Sequence, residues 1–331
     1  MRRLFTAAVG LLLALGATSA AAAPVPAPLV LWVSPTGSDT AAGTSAEAPL
    51  ATLGEVHKRV CLREACAGLG QPVEIHLLPG VYERARVAWT YFDDVYTTSF
   101  IGEGATVSVL DGYGELAWGF SFTQTRPSSS GRTNLVFRDL GWRNYLREAI
   151  VFKGSGNQRA AGNVFERNEF SDIGNLLNAE LVTAWGGIFL NNSDENRIAN
   201  NRFVRILNHP RNGRGQEHAL YLIRSRGNVI EANSFEFIGG DAIRVRDDAS
   251  NNIITANTFL RAGNSSYVGD WFCKPWRPVS KECTSWELPS YGNELRANVF
   301  RGAFNAKQKT VRITYCHDVR MTCLPERIRV L

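Results

Sequence analysis

The chain has 331 residues, 44% of them hydrophobic, which is enough for one large core or two modest ones. Its formal net charge is +5, and without Arg2 and Arg3 the 34 remaining basic residues only slightly exceed the 31 acidic ones. So mild an excess argues against a nucleic-acid partner, which needs a dense basic stripe, but it allows an acidic polymer to bind in a local basic groove.

Residues 1–23 have the pattern of a secretory signal peptide. Arg2 and Arg3 supply the positive start, an apolar run extends from Ala7 to Gly16, and small residues close the segment. No later stretch has the roughly 18 apolar residues that a membrane-spanning helix needs. We therefore predict a secreted monomer, periplasmic or extracellular and without a membrane span, in which residues 24–30 form a short proline-containing linker.

Residues 31–80 are predicted to form an N-terminal cap and the first full strand. Within 51–65 the apolar residues recur at helical spacing, which indicates a short amphipathic helix. These residues are Leu53, Val56, Val60 and Leu62. We expect the helix to cover one open end of the fold, where bare strand edges would invite association.

Residues 81–304 contain a repeat that sets the architecture. It consists of an Asn, a second Asn five residues later and a Phe two residues after that, with alternating apolar and polar residues between them. The copies are Asn163/Asn168/Phe170, Asn196/Asn201/Phe203, Asn228/Asn233/Phe235, Asn252/Asn257/Phe259 and Asn293/Asn298/Phe300, with a degenerate copy at Asn134/Asp139/Gly141. Stacked rungs return the same residue types to the same positions about 4.8 Å apart. The repeat predicts an all-β, right-handed, single-stranded parallel β-helix with asparagine ladders and an internal phenylalanine stack.

A second strand precedes each asparagine motif and is predicted to line a groove. Its outward residues are Val151, Phe189, Tyr221 and Arg244, followed two positions later by Lys153, Asn191, Ile223 and Arg246. The insertions 175–186, 208–217 and 264–292 all enter before this strand. Insertions on one edge of a solenoid usually build its binding face, so we expect these loops to wall the groove.

Six cysteines follow the signal segment as three close pairs. An even number in an exported chain favours disulfides, and we predict Cys61–Cys66, Cys273–Cys283 and Cys316–Cys323. The last pair would staple a C-terminal tail, 305–331, which lacks the repeat. Free buried thiols are one alternative. A zinc site is the other, but no pair has CxxC spacing and no histidine completes a four-ligand set.

The opening of the chain resembles a known group of proteins. The segments Trp32–Asp39, Gly43-Thr44, Pro49–Leu53 and Ile75–Tyr82 are similar to the start of secreted pectate-lyase-like β-helix proteins, and the repeats extend the likeness to about Phe304. The resemblance implies the fold. It does not specify a reaction, because the superfamily includes lyases, hydrolases, epimerases and non-catalytic proteins.

The candidate catalytic residues lie on or beside the predicted groove floor. Cleaving or epimerising a uronic acid polymer requires a group that neutralises the substrate carboxylate, a base, and an acid for the leaving oxygen. We assign Arg244 and Arg246 to carboxylate neutralisation, Tyr221 or His218 to proton transfer, and Asp241 to orientation or calcium binding.

Two stretches also resemble the polysaccharide lyases that include chondroitinase B and alginate lyases. Tyr221–Asn228 is similar to their Lys-Ser strand and Val245–Asp248 to their Arg-His-Gly strand. The resemblance implies Arg224 in the base position, Arg246 in the second catalytic position and Glu217 near a calcium ion. Arginine hardly deprotonates, however, Asp247-Asp248 replaces His-Gly, and the Asn-Gly-x-Glu calcium motif is missing. Glu217, Asp247 and Asp248 remain the candidate calcium ligands.

Aromatic and polar residues near the groove are predicted to bind sugar rings. They are Lys153, Trp185, Phe189, Asn191, Trp271 and Trp276. The tryptophans of the long insertion could instead form a small core under the Cys273–Cys283 loop. A glycosidase using Asp241, Asp247 and Asp248 is a further alternative, and so is a non-catalytic polysaccharide-binding protein. Arg244 and Arg246 could equally be part of a surface ion-pair ladder.

Overall fold

The computed structural model describes residues 24–61, 66, 68–124, 126–176, 185–209, 216–264, 266–273, 287–302, 304, 309–313 and 328–331. Within these ranges the chain forms one helix, α1 (Leu53–Val60), and 26 strands. The strands are β1 (Leu29–Val33), β2 (Val73–Leu77), β3 (Gly80–Glu83), β4 (Val87–Trp89), β5 (Thr98–Gly102), β6 (Ser108–Asp111), β7 (Trp118–Gln124), β8 (Leu135–Arg138), β9 (Gly141–Arg143), β10 (Glu148–Gly154), β11 (Val164–Glu166), β12 (Glu169–Ile173), β13 (Gly186–Asn191), β14 (Arg197–Ala199), β15 (Arg202–Ile206), β16 (His218–Ile223), β17 (Val229–Glu231), β18 (Ser234–Ile238), β19 (Ile243–Arg246), β20 (Ile253–Thr255), β21 (Thr258–Leu260), β22 (Ser266–Trp271), β23 (Asn293–Arg296), β24 (Val299–Arg301), β25 (Lys309–Ile313) and β26 (Ile328–Val330).

The strands stack into three parallel sheets. Sheet 1 has the order β1-β2-β5-β8-β11-β14-β17-β20-β23-β26, sheet 2 runs from β3 to β24 and sheet 3 from β4 to β25, each through every third strand of the coil. Successive turns of the chain therefore lie on top of one another, in the hand that parallel crossovers adopt. The prediction of a right-handed parallel β-helix is confirmed.

Two asparagine ladders run along the coil as predicted. In the first, the backbone N–H of Asn163 donates to the Oδ1 of Asn196 at 3.0 Å, and the same bond recurs through Asn228 and Asn252 to Asn293. Each Asn Nδ2 of this ladder also donates to the next Oδ1. The second ladder repeats this pattern, and its members are Asn168, Asn201, Asn233, Asn257 and Asn298. The ladders satisfy buried donors that the sheets leave unpaired at these corners.

The degenerate copy of the repeat was predicted one residue too early. The backbone N–H groups of Leu135 and Leu140 donate to the first asparagines of the two ladders, and Trp142 pairs with Phe170. The correct copy is therefore Leu135/Leu140/Trp142 rather than Asn134/Asp139/Gly141. Leucine has no side-chain hydrogen-bond acceptor, so the first asparagines of the two ladders are Asn163 and Asn168, one rung later.

The phenylalanine column is confirmed as the interior of sheet 2. Phe170, Phe203, Phe235, Phe259 and Phe300 stack in order with ring centroids 4.8 to 5.1 Å apart. The first four are fully buried. Stacked pairs at this distance contribute about 0.5 to 1.5 kcal/mol each beyond the area that they bury.

The N-terminal cap contains the predicted helix in a shorter form. Thr52 caps α1 by accepting a hydrogen bond from the Glu55 N–H at 3.1 Å. The buried face of Leu53, Val56 and Val60 packs α1 against β4. Leu62 lies outside the described residues.

The ends and the cysteines are described only in part. Cys61 and Cys66 form a disulfide, and Cys273 is disulfide-bonded. Residues 1–23, Cys283, Cys316 and Cys323 lie outside the described ranges. In the C-terminal tail, β25 adds to sheet 3 and β26 to sheet 1. Among the described residues, no helix is long and apolar enough to cross a bilayer.

Candidate functional site

The outer face of sheet 3 carries the columns that the sequence predicted. Val151, Phe189, Tyr221 and Arg244 are register partners across β10, β13, β16 and β19. Two positions further on, the partners are Lys153, Asn191, Ile223 and Arg246. The next strand, β22, places Gly269 beside Arg244 and Trp271 beside Arg246.

His218 begins β16 and is held in one tautomer. Its Nδ1 lies 2.8 Å from the backbone carbonyl oxygen of Asp241. A carbonyl oxygen can only accept, so Nδ1 carries the proton and Nε2 has a free lone pair. Burial, together with the Arg244 charge, lowers the pKa of His218 to about 3, so the ring is neutral at ordinary pH. No described residue is hydrogen-bonded to Nε2.

Asp241 is buried and fully engaged. Its Oδ2 accepts from the Arg244 Nε at 2.9 Å, and its Oδ1 accepts from the Ser266 hydroxyl at 2.8 Å and the Ser266 N–H at 3.1 Å. Burial acts to raise the pKa of Asp241, but Arg244, His218 and Ser266 outweigh it and hold the pKa below its usual value. A Cβ on Gly269 would lie 2.1 Å from the Asp241 Oδ2, so this pair needs glycine there.

Arg246 lies at the centre of a second group. Its Nη1 donates to the Tyr221 hydroxyl at 2.9 Å, and its Nε donates to Glu287 at 2.8 Å. The guanidinium also lies over the Trp271 ring, 4.2 Å from the centroid. Glu287 in turn accepts from the Cys273 N–H at 2.8 Å. Arg246 therefore has fixed geometry and a carboxylate partner already in place.

Tyr221 joins the two groups through its ring. The ring centroid lies 5.1 Å from that of His218, 5.5 Å from that of Phe189 and 6.0 Å from that of Trp185. Lys153 is exposed, with its Nζ 5.8 Å from the Phe189 centroid. The structure thus brings together most of the predicted catalytic and sugar-binding residues; Trp276 lies outside the described ranges.

Arg224 and the two predicted acidic calcium ligands after β19 lie at the far ends of their strands. Arg224 Nε is 3.5 Å from Asp247 Oδ2, and Arg226 pairs with Asp248. Asn191 accepts from the Arg224 Nη2 at 3.4 Å. Glu217 precedes β16, at the opposite edge of sheet 3. Because a strand advances about 3.3 Å per residue, Glu217 cannot share one ion with Asp247 and Asp248 in this arrangement.

A buried pair of carboxyl groups, Glu148 and Glu217, was only half identified from the sequence. Glu217 has no exposed surface, and neither of its carboxyl oxygens has a hydrogen-bond partner within the described ranges. Burial raises its pKa well above the ordinary value, and the nearby Glu148 adds to this. Burial raises the pKa of Glu148 to about 7, although Arg147 and Lys153 oppose the shift. Burial therefore favours the neutral form of both carboxyl groups.

Three participants were missed by sequence reasoning: Glu148, Ser266 and Glu287. The signal for Glu148 was present, because it precedes Ala149-Ile150 just as Asp241 precedes Ala242-Ile243. The register accordingly puts Trp118, Glu148, Gly186 and His218 in one column. Glu287 lies within the insertion 264–292, which does not follow the repeat and so gives no periodic signal.

With this geometry in place, the chain can be compared with known proteins. The family model of the periplasmic copper-binding protein NosD matches residues 124–272. Among solved structures, pectate lyase Pel9A shares 12% identity with a TM-score of 0.39, over 85% of this chain and 80% of the lyase. The periplasmic alginate epimerase AlgG shares 13% with a TM-score of 0.41, over 91% of this chain and 58% of the epimerase. The A-module of the Azotobacter vinelandii mannuronan C-5 epimerase AlgE6 shares 10% with a TM-score of 0.27, over 78% of this chain and 93% of the module.

These comparisons concern the fold. The fold itself, a right-handed parallel β-helix, is established by the three parallel sheets and their register. The chain spans less than two thirds of the length of AlgG. A search of curated proteins found no significant match.

Proposed function

We propose that this protein is an exported, polysaccharide-active β-helix protein that acts on a uronate polymer by β-elimination or epimerisation at the outer face of sheet 3. The polymer would lie across the strands, along the columns that contain Phe189, Tyr221 and Arg246. Both reactions begin with removal of the proton next to the sugar carboxylate.

The observation that carries the proposal is the pairing of Tyr221 and His218. The Arg246 guanidinium donates to the Tyr221 hydroxyl oxygen at 2.9 Å, so it would stabilise negative charge developing there during proton transfer. Beside it, His218 is neutral and presents an unprotonated Nε2. The His218 Nε2 can therefore accept a proton and the Tyr221 hydroxyl can donate one, and the two rings are held in contact with each other.

Carboxylate neutralisation needs a different assignment from the one made on the sequence. Arg244 is paired with Asp241 and Arg246 with Glu287, so neither is a free positive charge. Lys153 is exposed, on the same outer columns. Arg224, just past them, is half exposed, and its contact with Asp247 is longer, at 3.5 Å, and open to solvent. We assign the substrate carboxylates to these two cations.

The sugar rings would be held by half-buried aromatic side chains. Trp185, Phe189 and Trp271 each keep part of their surface open. Trp185 immediately precedes β13, which contains Phe189, and Trp271 lies on β22, three strands further along the same sheet. A flat apolar ring suits the C–H face of a pyranose.

A product screen tests the proposal. The protein is incubated with alginate, pectate, chondroitin and heparan-type polymers. Ultraviolet absorbance detects the unsaturated ends that β-elimination produces, and deuterium incorporated into the polymer from D₂O detects epimerisation. On the polymer that reacts, we expect Tyr221→Phe to lower turnover by about 100-fold or more while polymer binding persists. Tyr113→Phe, at an exposed tyrosine on the sheet 2 side, serves as the matched control and should leave turnover unchanged.

The second candidate function is polysaccharide binding without catalysis. It is favoured by the burial of the proposed base and acid, because His218 and Tyr221 are only 2% and 3% exposed. In that case no uronate polymer yields product, Tyr221→Phe changes nothing, and Trp271→Ala weakens polymer binding.

Copper binding is not part of the proposal. The matched residues 124–272 contain no cysteine and no methionine, and their two histidines are His209 and His218. His218 uses its Nδ1 for the Asp241 carbonyl. Copper sites are built from clustered thiolate, thioether and imidazole ligands, which this stretch does not supply.

A further inference from the structure

The N-terminal cap holds a cluster of three metal-ligating side chains far from sheet 3 residues such as Tyr221. His57 lies in the last turn of α1, Cys61 is its C-cap residue, and Cys66 comes five residues later in the sequence. One ligand atom from each residue lies within 4.8 Å of the others. Among the described residues, this is the one group of His, Cys, Asp and Glu side chains with such convergence.

The local sequence explains why the three groups meet. His57 and Cys61 are four residues apart, so the helix places them on one face. The Cys61 N–H donates to the His57 carbonyl at 2.9 Å, which fixes the end of the helix. Cys66 is buried, and its sulfur lies 3.2 Å from the Thr90 hydroxyl.

His57 is already set up as a ligand. The Thr90 backbone N–H donates to its Nε2 at 3.1 Å, so the neutral ring carries its proton on Nδ1 and Nε2 is the unprotonated nitrogen, which an ion could take over from Thr90. The ring packs against Trp89 with centroids 5.0 Å apart, which restricts its rotation.

We propose that His57, Cys61 and Cys66 form a redox-gated site for a thiophilic metal ion, for which Zn²⁺ is the probe. In the disulfide form the sulfurs are bonded to each other and the site is closed. A dithiol reductant opens it: the sulfur–sulfur bond takes up two electrons and two protons, and the dithiol becomes a disulfide. Binding of Zn²⁺ to the two thiols and the imidazole then releases the two thiol protons.

The ligand set fits such an ion. Two thiolates and one imidazole are a known zinc ligand combination that leaves a fourth position for water or another ligand. Carboxylates are absent from the set, which disfavours Mg²⁺ and Ca²⁺. The preference for a disulfide over zinc is borne out for Cys61–Cys66, and the His57 imidazole beside it supplies the third ligand atom of the proposed reduced site. In the reduced protein, the ion would keep Cys66 linked to Cys61 and His57 at the C-terminal end of α1.

The test measures zinc stoichiometry in the folded protein. The protein is reduced with a phosphine, desalted without oxygen and titrated with Zn²⁺ against a chromophoric chelator, with the oxidised protein run in parallel. We expect one tightly bound Zn²⁺ per chain in the reduced form and none in the oxidised form.

Variants decide where that zinc binds. Cys61→Ser/Cys66→Ser should abolish binding, although the other four cysteines remain, and His57→Gln should weaken it about tenfold or more. His76→Gln is the matched control, because His76 lies in the same cap but outside the cluster. Far-UV circular dichroism confirms folding, and if the double variant does not fold, His57→Gln and Cys61→Ser are read instead. Absence of zinc from the reduced wild type, equal binding by the oxidised form, or unchanged binding in the cysteine variants would overturn the proposal.

Discussion

At the scale of single residues, burial and hydrogen-bond partners together determine which carboxyl groups of the site are charged. Asp241 stays ionised because Arg244 and Ser266 hold both of its oxygens, whereas Glu148 and Glu217 are pushed toward their neutral forms. Buried ion pairs contribute little net stability, but leaving one partner alone is costly. The site thus combines an ionised Asp241 with two carboxyl groups whose neutral forms are favoured by burial.

Glu148 gives a prediction for the pH dependence of stability. Its folded-state pKa of about 7 lies above its ordinary value of 4.5, so between these values the folded chain keeps a proton that the unfolded chain has lost. The free energy of unfolding should therefore fall as pH rises from 4.5 to 7. Glu148→Gln removes this penalty, so it should be neutral at pH 4 and stabilising by about 1 to 3 kcal/mol at pH 8.

Urea unfolding of wild type and variant at both pH values measures the difference. Glu83→Gln, at an exposed carboxyl on β3, is the control and should show no pH-dependent difference. An effect of Glu148→Gln that is equal at pH 4 and pH 8 would contradict the assignment of the proton to Glu148.

At the scale of elements, the asparagine ladders join the strands at the corners between sheets. Each ladder asparagine in the middle accepts two hydrogen bonds from the rung before it and donates two to the rung after it. Most Nδ2 groups keep a second acceptor, as Asn196 Nδ2 does with the Ser193 hydroxyl, but the buried backbone N–H has no other partner if one asparagine is removed.

Asn228→Ala tests this role. It removes the acceptor of the Asn196 N–H and one of the two acceptors of the Asn196 Nδ2, and we expect a loss of about 2 to 4 kcal/mol in the free energy of unfolding. Asn157→Ala, at an exposed turn, should change it by less than about 0.5 kcal/mol. Chemical denaturation of both variants provides the comparison, and equal losses would show that the ladder is not the source of stability.

At the scale of the whole molecule, the interior column and the surface ion pairs make different contributions. The two are neighbours on β15: Phe203 points into the stack, while Arg202 points out and pairs with Glu169 and Glu236. The Arg202 side chain is 45% exposed, so its ion pairs are screened by water and salt.

Phe203→Ala should therefore cost about 3 to 5 kcal/mol, and Arg202→Ala less than about 1 kcal/mol. The free energy of unfolding of each variant is measured at low and at high salt concentration. A loss for Arg202→Ala that rivals the loss for Phe203→Ala would mean that the charged columns, not the core, hold the coil together.

The sequence by itself determined the coil and its columns. Once the Asn and Phe anchors repeat, the residues at equal distance from them must align, which is why the repeat alone predicts Tyr221 and Arg244 as neighbours. The early copy was misplaced because Leu135 and Leu140 keep the position but lack the amide that marks it.

Only the tertiary structure decided what surrounds those columns. The approach of Glu287 to Arg246, the proximity of Glu148 to Glu217, and the meeting of His57 with Cys61 and Cys66 depend on insertions and caps outside the repeat. A periodic strand fixes each side chain by its count along the chain. A loop of irregular length has no such periodicity, so the positions of its side chains depend on packing, burial and the available hydrogen-bond and ion-pair partners.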